Sequence, residues 1–434
     1  MNSSKSDVDS KASWKVLVGC CLVALFGVTA LYGSTFGLFL IPMEQHLHWS
    51  RAQIAFSMTL VTIIGPLSMP LVGWVIDNLP LRPLVLWGVL LQSVNFAAFG
   101  MMNGNVLFYY LLCVALMFTA TGASLLTLAK LVQQWFDASL GKGLGILFAA
   151  TAVGSVIHPP WVGYVLTHWG WRDAFFAMGL MSLLLGGAAA LLLIREREPE
   201  QPARAGVNVT RGGSGSSMLG FLKSPTWWAL AWWNLFFGFA IGAIMMHFAA
   251  LLQGRGLSLA QAAAMLSVMG VGGFSGNLLA GWLIDRFPAT WLARGFVLAP
   301  LGAVVLLYFG HGLAAAAIAA LMLGLFSSGD HALGAFLARR YFPAEAFGRA
   351  SATQMMAATL GGGVSPWISG LVYDATHSYD ASLMMAGVAF VLATIAAWRL
   401  PKVGEQVSQE ASDDEVTAPA AKAGGVAAAS STTQ

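Results

Sequence analysis

Residues 73–83 read GWVIDNLPLRP, and residues 281–294 read GWLIDRFPATWLAR. Each opens Gly-Trp-x-Ile-Asp, follows a long apolar run, and then meets proline and arginine. The same signature 208 positions on (73 to 281) points to a chain whose two halves share one design. Gly73 and Gly281 would let another helix approach closely. Asp77 and Asp285 sit at helix ends. There they can face the positive N-terminus of a neighbouring helix and pair with Arg82 or Arg286 across the two halves. The simpler alternative is that these aspartates only end their helices at an interface.

Composition places both copies in a bilayer. Of 434 residues, 57% are hydrophobic and 9% charged, whereas soluble domains carry roughly 25% charged residues. Basic residues stand singly between apolar runs, so nucleic-acid binding has no support. Cys20, Cys21 and Cys113 all lie inside apolar stretches and read as free thiols. Their placement offers neither a disulfide framework nor a metal site. No cofactor is expected.

Twelve stretches are long and apolar enough to span, near 15–40, 53–76, 83–101, 105–129, 142–166, 174–194, 226–251, 260–284, 293–310, 313–337, 349–372 and 381–400. The predicted organisation is an all-α membrane protein. It has a cytoplasmic tail (1–14), a six-helix bundle (15–194), a cytoplasmic linker (195–225), a second six-helix bundle (226–400) and a disordered cytoplasmic tail (401–434). The first apolar run is too long for a signal-peptide core. With both termini cytoplasmic, all but Arg51, Arg172 and Arg255 of the 22 Lys and Arg fall on the inner side. That bias is expected of a cytoplasmic-membrane protein in this orientation.

The halves match beyond the opening signature. WFDASLGKG (135–143) aligns with FPAEAFGRA (342–350), placing Lys142 on Arg349. GSVIHPPWVG (154–163) aligns with GGGVSPWISG (361–370), placing Pro159 on Pro366 and Gly163 on Gly370. Two repeats of six helices predict twin bundles related by an axis along the membrane normal, with a substrate site between them near the midplane.

On these motifs the chain resembles the major facilitator superfamily of secondary transporters over about residues 14–400. Asp77 and Arg82 stand at the acidic and basic positions of its signature between the second and third helices. Asn78, Pro80 and Leu81 depart from that signature. Gly145, Gly154, Pro159 and Gly163 have the spacing of a pattern carried by antiporters of the superfamily, although His158 and Val162 replace glycines. Small residues and a proline here also allow tight packing and a bend. LHWSRAQ (47–53), GKGLGI (141–146) and GWRDAFFAMG (170–179) resemble the monocarboxylate and oxalate/formate branch. That resemblance implies transport of small organic anions, often with a proton. The eighth span, and the eleventh beyond Arg349, hold no Lys or Arg to clamp a carboxylate.

Ionisable residues at membrane depth are functional hypotheses by default. Asp330 lies nine residues before Arg339, roughly 13 Å from the helix end and close to the midplane. Asp330 and His331 are predicted to carry a proton or substrate; the alternative is a hydrogen-bonded structural Asp. His158 and His247 are equally candidate ligands or packing groups. Tyr32, Thr35, Asn234, Asn277 and Gln354 are expected to line the cavity. Lys130 either snorkels or attracts an anion.

No phosphate-cradling loop supports ATP drive, and an enzyme is not expected. Three functions stay open: proton-coupled uptake of a small organic acid, proton-antiport efflux of amphipathic compounds, and a transporter-like membrane sensor. The expected partners are the substrate, protons and lipid, with the monomer as the working unit.

Overall fold

The computed structural model describes residues 11–137, 139–197, 224–342 and 344–400. The side chains of residues 289, 290, 329–332, 335, 338 and 344–348 fall outside that description. So do residues 1–10, most of the expected linker, and the tail from 401 for which disorder is expected.

The chain is helical and folds as two six-helix bundles. In the first bundle, α1 (Lys11–Leu25), a π-helical turn (Thr29–Gly33) and α2 (Phe36–Leu47) form the first pass. Then come α3 (Arg51–Asn78) and α4 (Leu81–Gly100). The fourth pass is α5 (Val106–Thr119), a 3₁₀ turn (Ala120–Ala123) and α6 (Leu125–Trp135). α7 (Leu140–Trp169) follows. A sixth pass of α8 (Trp171–Met181), a π-helical turn (Ser182–Gly187) and α9 (Ala188–Leu192) closes the bundle. The second bundle opens with α10 (Pro225–Met245) and α11 (Phe248–Gly254) as one pass. It continues with α12 (Leu259–Ile284), α13 (Ala289–Phe309), α14 (Gly312–Tyr341), α15 (Ala344–Thr376) and α16 (Asp380–Trp398). Among the described residues, ten passes are long and apolar enough to cross a membrane. The Ser- and Gly-rich α14 and α15, of 30 and 33 residues, complete the twelve.

Four passes expected as single helices are interrupted. In the first, Ser34 and Thr35 turn their hydroxyls back to the carbonyls of Ala30 and Leu31, both at 2.6 Å. Such back-bonding competes with the helical ladder. In the fourth, Ser124 caps the restart by accepting from the Thr127 amide at 3.3 Å, and the Thr127 hydroxyl donates to the Thr121 carbonyl at 2.7 Å. The first pass ends at Leu47 rather than near residue 40, and the fourth at Trp135 rather than near 129.

The duplication shows in the helix starts. Ser50 and Gln53 form a capping box on α3, and Ser258 and Gln261 form the same box on α12, 208 positions later. Each box satisfies otherwise orphaned first-turn amides. The bundles meet along two pairs that this repeat relates: α3 with α15, and α7 with α12.

Contacts between bundles gather at one end, the far face, opposite the end carrying the termini. A Cβ on Gly370 would strike the Ala52 backbone, and one on Gly163 would meet Ala263 at 2.8 Å. The Thr59 hydroxyl donates to the Gly363 carbonyl at 2.8 Å. The Ser267 hydroxyl donates to the Val156 carbonyl at 2.6 Å. At the terminal face, Gly73, Gly281 and Gly145 have no such neighbour within 4 Å, and Leu67, Leu71 and Trp74 of α3 are exposed. The bundles are pressed together at the far face and parted at the terminal one.

Candidate functional site: a cavity between the bundles

The parted bundles enclose a cavity of about 770 Å³. Its polar lining is neutral: Thr29, Ser34 and Thr151 from the first bundle, and Asn277, Ser327 and Ser328 from the second. The rest is soft and apolar, with Met58, Met245, Met246, Met269, Phe148 and Phe274. No charged side chain lines it among the described residues. A side pocket of about 400 Å³ runs into the first bundle between α3 and the fourth pass and shares Thr29, Met58 and Thr151 with the main cavity.

Of the residues expected in the cavity, Asn277 is at its wall. Tyr32 lines the side pocket, within an aromatic cluster with Phe36 at 4.9 Å and Phe99 at 5.8 Å. Thr35 is fully buried on its own helix and corrects the expected lining. Asn234 and Gln354 hold each other instead, with Nδ2 donating to Oε1 at 3.0 Å. They bind α10 to α15 inside the second bundle and do not reach the cavity wall. The reason is chemical: buried amides find each other because an unpaired one costs about 1–3 kcal/mol. His158 is buried, with Nε2 at 2.8 Å from the Leu25 carbonyl, as a packing group between α7 and α1. Asp330 and His331 lie on α14, and their side chains are outside the described residues.

Among the described residues, the terminal-face groups Asp77, Arg82, Asp285 and Arg286 find partners within their own bundles. Asp77 pairs with Lys130 of its own bundle at 2.7 Å, and Lys130 also donates to the Ile76 carbonyl at 2.8 Å. A cation here compensates the exposed carbonyls at the end of α3. Lys130 therefore neither faces the cavity nor floats free. Arg82 donates to the Leu191 carbonyl at 3.3 Å. Glu196 caps α4, accepting from the amides of Leu81 at 2.8 Å and Arg82 at 3.3 Å. Asp285 caps the end of α12, and Arg286 lies 4.2 Å over the Trp282 ring. Of the glycines and prolines expected to pack α7 and α15, Gly154 packs on Ala30, Gly163 and Gly370 cross the interface, and Gly145 touches nothing. Pro159 and Pro366 lie inside their helices.

The far face carries a charged cluster of which only His247 was a candidate from the sequence. The Arg51 side chain, 8% exposed, pairs with Glu44 at 2.9 Å. Its Nη1 donates to the Tyr379 hydroxyl at 2.7 Å, across the interface. The guanidinium lies 3.6 Å over the Tyr373 ring, a desolvated cation–π contact. Asp374 accepts from the backbone amides of Arg51 at 3.1 Å and Ala52 at 3.0 Å. His247 completes the cluster, its Nδ1 at 3.1 Å from the Tyr379 hydroxyl and its Nε2 at 2.8 Å from the Pro366 carbonyl. Arg51 was legible as one of three basic residues off the inner side. Its partners across the interface lie more than 320 positions away, and no local pattern marks them.

A sequence profile of the Major Facilitator Superfamily matches residues 21–312 and 255–431. The chain is 23% identical to the uncharacterized MFS-type transporter YcxA of Bacillus subtilis (strain 168) over 403 residues, covering 89% of this chain and 94% of that one. It is 24% identical to human monocarboxylate transporter 11 over 404 residues, covering 86% and 80%. Among solved structures, the nucleoside transporter NupG superposes with a TM-score of 0.70 at 14% identity, covering 90% of this chain and 100% of that one. That likeness concerns the fold. With the profile spanning both bundles, the chain belongs to the Major Facilitator Superfamily and is an integral membrane transporter rather than an enzyme.

Proposed function

We propose that the protein takes up a small organic acid together with a proton, across the cytoplasmic membrane, with both termini cytoplasmic. The acid binds in the cavity between the bundles, and the terminal face is the inner one. The observation that carries this reading is the neutral lining. Hydroxyls and an amide can orient a carboxyl group, yet no Lys or Arg lines the cavity among the described residues. The sequence also holds none between 256 and 285 or between 350 and 398. An uncompensated carboxylate there costs several kcal/mol. The charge is cancelled instead by a proton, on the acid itself or shared with Asp330 and His331 on α14. A proton moving with a monoanion makes transport electroneutral, and each unit of inward pH gradient supplies about 1.4 kcal/mol. The monocarboxylate transporter among the relatives supports the same substrate class.

Purified protein in vesicles with a luminal pH dye tests this. A panel of monocarboxylates, dicarboxylates and aromatic acids is added outside with no gradient imposed. Saturable acidification beyond that of protein-free vesicles is expected. No signal with any acid, together with alkalinisation of preacidified vesicles on adding amphipathic cations, would move the assignment to proton-antiport efflux. The methionines and phenylalanines of the cavity favour that second reading, because thioether and aromatic surfaces accommodate varied apolar shapes.

A further inference from the structure

The far-face cluster contains a titratable ring that the cavity does not use. His247 sits between α10 and α11, 1% exposed. Its hydrogen-bond polarity follows from its partners. The Pro366 carbonyl can only accept, so Nε2 at 2.8 Å carries a hydrogen. Arg51 Nη1 can only donate, so the Tyr379 oxygen at 2.7 Å accepts. Burial pushes the Tyr379 phenol well above its usual range despite the Arg51 charge beside it, so the phenol keeps its proton. That proton has one acceptor in the cluster, Nδ1 of a neutral His247 at 3.1 Å. The polarity therefore runs from Arg51 to Tyr379 to His247 to Pro366, across the two bundles.

A second proton on His247 breaks this order. Nδ1–H no longer accepts, the phenol proton loses its partner, and a second cation stands on the oxygen that already receives Arg51. A buried donor left unsatisfied is costly. The neighbouring charges divide. Arg51 of α3 opposes a cationic ring. Glu44 of α2 and Asp374 of α15 favour it, but Glu44 is held by Arg51 at 2.9 Å and Asp374 by two backbone amides. Asp380 is paired with Arg255 at 3.2 Å, and Tyr373 faces the guanidinium.

We propose that His247 is the proton acceptor that releases the far-face latch: the bundles close there on the neutral ring, and protonation from the far side opens them. The proposal rests on alternation between two faces and on the far face being the outer one, not on which acid is carried.

The test needs no substrate. Spin labels are attached at Asn103→Cys and Leu313→Cys, both exposed on the far face of opposite bundles. The background carries Cys20→Ala, Cys21→Ala and Cys113→Ser. Distances are then measured between about pH 5 and about pH 8, spanning the histidine range. The far-face distance should lengthen as pH falls. A one-unit difference in proton affinity between closed and open states changes their ratio about tenfold. His247→Gln, which keeps a donor and an acceptor, should hold one ratio throughout. If that variant does not fold, Tyr379→Phe serves, since it removes the hydroxyl with which the proton competes and should flatten the response. Identical distances at both pH values overturn the proposal. So does a response that persists in both variants. The organic-acid reading is judged separately by the luminal dye.

Discussion

Asp374, near the end of α15, caps the start of α3 in the opposite bundle. Its two carboxylate oxygens accept from the Arg51 amide at 3.1 Å and the Ala52 amide at 3.0 Å. One side chain thus satisfies two first-turn amides and places a negative charge at the positive end of a helix. Because the cap crosses the interface, it contributes only while the far face is closed. Asp374→Ala should therefore shift the bundles toward far-face opening by about 1 kcal/mol, roughly fivefold. Alkylation of a cysteine placed behind the latch would report this, and an unchanged rate would show that the cap does not bear on the equilibrium.

Gly370 meets the Ala52 backbone so closely that no side chain fits. Gly370→Val should wedge the far face apart and abolish net transport. Substrate should still protect the cavity from reagents added at the far side. Normal transport by this variant would mean the closed contact is dispensable.

The Asn234–Gln354 pair is predicted to matter for stability rather than for transport. Asn234→Leu leaves Gln354 partly unsatisfied and should cost about 1–3 kcal/mol. Adding Gln354→Leu should recover most of that, since removing both buried partners is nearly neutral. Thermal unfolding in detergent, read beside the uptake rate per folded molecule, separates the two roles.

The Asp77–Lys130 pair is exposed, with side-chain accessibilities of 73% and 36%, and exposed pairs contribute about 0–1 kcal/mol. Asp77→Asn should leave the melting temperature nearly unchanged. If Asp77 also serves the closed terminal face, the same variant should raise labelling of cavity cysteines from the inner side. A large drop in melting temperature would show instead that the residue's weight is structural.

Asp330→Asn should abolish proton-driven accumulation while counterflow exchange survives, because exchange needs the site but no net proton movement. Accumulation at the wild-type level would remove Asp330 from the coupling mechanism.

The repeat Gly73-Trp74 with Gly281-Trp282 was enough to divide the chain into two bundles, because a membrane leaves helices as the main way to satisfy backbone groups and hydrophobic length marks each of them. Composition excluded soluble enzymes for the same reason. The start of α3 at Arg51, ahead of the apolar run from 53, is set by the Ser50–Gln53 capping box. Local hydrogen bonding decided where helices break, and Thr35 back-bonding to Leu31 shows why its hydroxyl, expected in the cavity, is unavailable there.

Partner choice was not legible. Asn234 chose Gln354, Lys130 chose Asp77, and Arg51 chose Glu44, Tyr379 and the Tyr373 ring. Each pairing depends on which helix faces meet and how far the bundles are tilted, and those are set by packing small residues such as Gly370 and Gly163 against their neighbours. The one-dimensional order of residues determined the helices, their number and their pairing into halves. Only the tertiary structure decided which face is closed and what holds it, because a buried charge is tolerated only where distant groups converge to pair it.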